Sequence, residues 1–80
     1  MLDWLDEARQ RLERELPESG DLSLSPAEAE ALLELARDAA HESGERTNAP
    51  LVAYLVGVTR ARCPDASLRD VIDLALGRRP

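Results

Sequence analysis

Ala49-Pro50-Leu51-Val52-Ala53-Tyr54-Leu55-Val56-Gly57-Val58 is the longest apolar run in the chain, and its reading decides the fold. Val and Tyr favour a strand, but no other segment offers a partner strand, and a lone strand leaves its backbone groups unpaired. Pro50 suits the start of a helix, where its missing N–H is not needed. The run therefore reads as a helix opening at Pro50 and ended by Pro64, and the chain reads as all-α. At about 100° per residue this helix is apolar over about 200° of its circumference. Leu51, Leu55 and Val58 are expected to meet the other helices, with Val52 and Val56 on one flank and Tyr54 on the other. Ala53, Gly57 and Ala61 stand four residues apart and form a smooth stripe. A glycine inside a helix costs about 1 kcal/mol relative to alanine, so another helix approaching closely is expected to offset it. The preferred reading is packing inside the domain, with the stripe facing inward and the leftover apolar surface on the Val52/Val56 flank or around Leu74. The alternative is a dimer or partner interface, with Val52, Ala53, Val56, Gly57 and Leu74 as its candidate residues.

Working outward, the clearest local signal lies upstream, in Ser25-Pro26-Ala27-Glu28. Ser25 is placed to cap a helix, Pro26 suits its first position, and the Glu28 carboxylate can reach back to the cap amide. This second helix is expected to run to about His41. Ala29, Leu32, Leu33, Leu35, Ala36, Ala39 and Ala40 share one side, opposite Glu30, Glu34, Arg37, Asp38 and His41. The first helix is expected over residues 2–16, with Leu2, Leu5, Leu12 and Leu16 at helical spacing and Trp4 and Ala8 widening the stripe. Pro17 and Gly20 end it. Ser67 caps a fourth helix with the stripe Leu68, Val71, Ile72, Ala75 and Leu76, stopped by Gly77. Leu74 falls well off that stripe and is expected to be exposed. The sum is one small four-helix domain over residues 1–80, orthogonal or bundle-like.

Composition narrows the function classes. The chain is 44% apolar and 32% charged, with two aromatic residues and no Phe, so its core must come from Leu, Val, Ala and Ile. Residues 1–45 carry 4 Arg against 13 acids, a net −9, and residues 46–80 carry 6 Arg against 3 acids, a net +3. The whole-chain charge of −6 argues against general affinity for phosphate backbones. Arg60 and Arg62 lie about 160° apart on the third helix and do not line up as a nucleic-acid contact. The opposed halves read as two solvated faces, or as a steered docking surface. Cys63 is the only cysteine and has no partner for an internal disulfide. The start Met1-Leu2-Asp3-Trp4 is acidic and does not look like a signal peptide, and the apolar run is too short to span a bilayer. A cytoplasmic protein without membrane attachment is expected.

No constellation for catalysis stands out. Asp38 and His41 sit three apart on one helix face with Glu34 a turn earlier, but a helical metal site needs a second such pair, and His41 is the only histidine. Ser19, Ser23, Ser25, Ser43 and Ser67 lie in turns or caps, and sequence ties none of them to His41. The four glycines are scattered and make no phosphate loop. An acyl-carrier-like protein is the runner-up for a small acidic helical chain. Carriers place Asp-Ser-Leu at the start of the second helix, whereas here Asp21-Leu22-Ser23-Leu24 has an extra residue and the helix start is Ser25-Pro26. The expectation is a domain that is not an enzyme and holds no metal or cofactor. It would act as an accessory or interaction module that binds another protein or a second copy of itself as a homodimer.

Leu32-Leu33-Glu34-Leu35-Ala36-Arg37-Asp38-Ala39-Ala40-His41, a short turn, and Ala49-Pro50-Leu51-Val52-Ala53-Tyr54-Leu55-Val56-Gly57 follow a start of Leu2-Asp3-Trp4-Leu5. Together they resemble a family of short helical domains of unassigned function in high-GC bacteria. These occur alone or joined to a molybdenum cofactor guanylyltransferase-like nucleotidyltransferase. Such domains often carry a proline-alanine-rich turn before the third helix; here Arg46-Thr47-Asn48 replaces part of it. The resemblance covers most of the chain. It implies a setting in molybdopterin cofactor biosynthesis and transfers no catalytic residue.

Overall fold

In a computed structural model describing residues 3–78, four helices run in chain order: α1 (Asp3–Glu15), α2 (Pro26–Ser43), α3 (Asn48–Arg62) and α4 (Leu68–Ala75). Leu2, expected in the first stripe, lies outside the described residues. A single 3-10 turn, Pro17–Ser19, follows α1, and no strand occurs among the described residues.

The helix ends follow from local chemistry. The Glu28 amide donates to Ser25 Oγ at 3.1 Å while the Ser25 amide donates to the Glu28 carboxylate at 2.8 Å, closing a reciprocal cap on α2. At the other end Gly44 takes a left-handed φ of 71° and its amide donates to the Ala40 carbonyl at 3.0 Å. That stop carries α2 two residues past His41. α3 starts at Asn48, two residues before Pro50, which therefore still falls in the first turn, where no amide is required. The Asp70 amide donates to Ser67 Oγ at 3.1 Å and caps α4.

α2, α3 and α4 build the core. Ala31 and Leu35 of α2, Val56 of α3, and Val71 and Ile72 of α4 form one buried cluster. Leu32, Val52, Ala66, Leu68 and Leu76 pack half-buried around it. Two ion-pair groups reinforce the seam between α2 and α4. Arg69 lies 3.9 Å from Glu34, and Arg78 reaches Asp38 at 3.4 Å and also Glu42. Partial desolvation pulls the Arg78 guanidinium down, but Glu42 and Asp38 outweigh it and hold the group above its ordinary pKa. The opposed charges of the two halves of the chain are thus partly spent inside the fold.

α1 departs from expectation. It contributes no buried residue, and its backbone does not approach α2, α3 or α4 closely; it lies along the Pro17–Ser19 turn. Glu13 ties it to the connector, accepting from Arg9 at 3.0 Å and from the Leu22 amide at 2.7 Å. Asp21 closes the same connector by accepting the Ser23 amide at 2.9 Å, a bond that holds its carboxyl below the ordinary value. Leu5, Leu12 and Leu16 stay largely exposed, and Trp4 more so.

That placement corrects the reading of α3. With α1 standing off, only α2 and α4 cover it, and they cover the arc that holds Val52 and Val56. Val56 is 1% exposed and belongs to the core. Val52 is half-buried beside it, so this flank is not the leftover surface. Leu51 and Leu55, expected inside, face outward, and Val58 is half-buried. The small stripe is also reversed. A Cβ added to Gly57 would meet nothing within 4 Å, so no helix of this chain packs against it. Ala61 is exposed and Ala53 half-buried. On α2 the buried line is Ala31, Leu35 and Ala39, and Leu33 is exposed rather than packed. On α4, Ala75 is exposed.

Candidate interaction surface

The uncovered side of α3 is the most distinctive surface of the molecule. Leu51, Leu55 and Tyr54 are 63, 62 and 72% exposed, and they share one side because residues three and four apart are neighbours on a helix. Leu74 of α4, 65% exposed, lies across a shallow groove from Leu55. The groove holds about 320 Å³, and Val52, Val56, Thr59 and Val71 help form its floor and walls. It runs into a second depression of about 400 Å³ over Leu51, Val52, Leu55 and Leu76, bordered by Glu42 and Asn48. An apolar strip bounded by polar groups thus follows α3 along α4. Large exposed apolar patches of this kind mark interaction sites.

Of the residues singled out by sequence, the structure brings Val52, Val56 and Leu74 around the one α3–α4 groove. Ala53 lines a different, wholly apolar cleft of about 410 Å³ between Leu5 of α1, Leu24 of the connector, Leu32 and Leu33 of α2 and Pro50 of α3. Gly57 lies on the open side of α3, clear of both. Leu51, Tyr54 and Leu55 are the residues that sequence reasoning missed. A helix apolar around most of its circumference carries no signal for which arc its neighbours will cover.

Whole-molecule measures agree that much surface is left open. A folded monomer of 8.8 kDa exposes roughly 4,800 Å², whereas this chain exposes 6226 Å². The excess is about 1,400 Å². The radius of gyration is 13.3 Å, against about 11.6 Å for a compact domain of this length.

The polar candidates gather into no centre. His41 and Cys63 are exposed. Asp38 is engaged by Arg78, and Ser25 is occupied as a cap. Among the described residues no three His, Cys, Asp or Glu side chains converge, and no helix is long and apolar enough to cross a membrane.

What fold and surface define is a small all-α domain with an open apolar helix face. The chain belongs to the family described as Domain of unknown function (DUF6457), whose model matches residues 1–78. No curated protein and no solved structure matches it.

Proposed function

We propose that this domain is a non-catalytic interaction module that binds protein through the outer face of α3 and the adjoining edge of α4. The observation that carries this reading is the exposure of Leu51, Leu55 and Leu74 along the two adjoining depressions, with exposed Tyr54 next to Leu51 on the same helix. Leaving these four in water forgoes about 1.5–3 kcal/mol for each large side chain that a partner would bury. In a domain of this size that is comparable with the entire folding free energy. The setting we assign is molybdopterin cofactor biosynthesis, with a guanylyltransferase-like nucleotidyltransferase as the protein served. What supports that setting is the resemblance carried by Leu32–His41 and Ala49–Gly57.

A photo-crosslinking residue placed at Leu55 or Leu74 in the native cell tests the docking face. Adducts of increased mass are expected at both positions, with few or none at Arg14 or Arg37 on other faces. Equal yields at all four positions would remove the docking reading. Adducts with a protein other than a second copy of this chain or a nucleotidyltransferase would remove only the proposed setting.

A further inference from the structure

We infer that the occupant of this face is a second copy of the chain, its α3 packed antiparallel on the first about a two-fold axis midway between Tyr54 and Gly57. The inference rests on the docking reading and names the partner. Three observations carry it.

The first is area. The chain as a whole, α1 included, exposes about 1,400 Å² more than a compact monomer of its mass, and an obligate pair buries roughly 1,000–2,500 Å² per subunit, so the surplus is of the size that pairing requires. The second is shape. The open side of α3 is bulky in its N-terminal half, at Leu51, Tyr54 and Leu55, and smooth in its C-terminal half, at Gly57 and Ala61. A two-fold interface must be complementary to itself. Antiparallel pairing lays each Tyr54 over the other copy's Gly57, the one residue of the helix interior with open space in place of a side chain. Parallel pairing would oppose Tyr54 to Tyr54 and leave Gly57 facing Gly57. The third is charge. Arg62 ends α3 and Glu45 precedes it, and among the described residues neither forms a salt bridge within the chain, whereas Arg69 and Arg78 do. In the antiparallel pair each Arg62 reaches the start of the other α3, a turn from Glu45; in a parallel pair it would meet Arg62.

Sedimentation equilibrium of the purified chain tests this. A mass near twice 8.8 kDa is expected. Gly57→Leu fills the space that Tyr54 needs and should return the mass to that of one chain. Arg62→Glu should weaken association by roughly tenfold, and adding Glu45→Arg in the same chain should restore most of it, because the reversed charges meet across the pair. The charge variants keep the test open should Gly57→Leu fail to fold. A wild-type chain that stays at 8.8 kDa across the concentration range overturns the self-pairing. Crosslinks from Leu55 to a different protein would then still stand for the docking reading. A double charge variant no better than Arg62→Glu alone overturns the antiparallel arrangement.

Discussion

Ser25 and Gly57 mark the two limits of what single residues disclose. The cap at Ser25 was legible because its chemistry is complete within four residues: a hydroxyl, a proline and a carboxylate at the required spacing. Both of its hydrogen bonds are present. Ser25→Ala leaves the Glu28 amide without its acceptor and should cost roughly 0.5–2 kcal/mol in a urea titration. A loss of only a few tenths would mean that the cap does not hold the start of α2. Gly57 was legible as an anomaly, since a glycine in mid-helix asks for a reason, but the direction of that reason was not. Its surroundings depend on residues of other helices, and no part of the sequence states which ones arrive. The structure leaves the position open. In the proposed pair the neighbour that offsets its cost is Tyr54 of the second copy.

At the scale of elements, the order and type of all four helices were readable, because caps, prolines and glycines fix their ends locally. The faces were less so. α4 is short and sharply two-sided, so Val71 and Ile72 were placed correctly in the core. α3 is apolar nearly all round, so its pattern names no inner side, and it was turned the wrong way. α1 is two-sided, but a stripe shows only that a helix has apolar surface to bury, not that it succeeds. Here the stripe meets Leu22 and Leu24 of the connector and Ala29 at the start of α2 rather than the core. An element with no buried residue should open at low free energy. Amide hydrogen exchange is expected to be markedly faster along α1 than in the middle of α2 around Leu35. Equal protection in the two helices would show that α1 is docked more firmly than its exposure implies.

For the whole molecule, the sequence showed an all-α chain with more apolar residues than so short a chain can hide, and a surplus face was anticipated. Its position was not, because which arc of α3 remains open depends on where α1 comes to rest. The small core of α2, α3 and α4, the excess surface and the large radius of gyration are the features that the proposed self-pairing would account for. When folding and pairing are coupled, stability depends on concentration. The most direct measurement is therefore the melting temperature of the wild-type chain over a hundredfold dilution series. A midpoint that falls steadily with dilution is expected of a chain whose α3 face is covered by a second copy. A midpoint that stays constant across the series would contradict it.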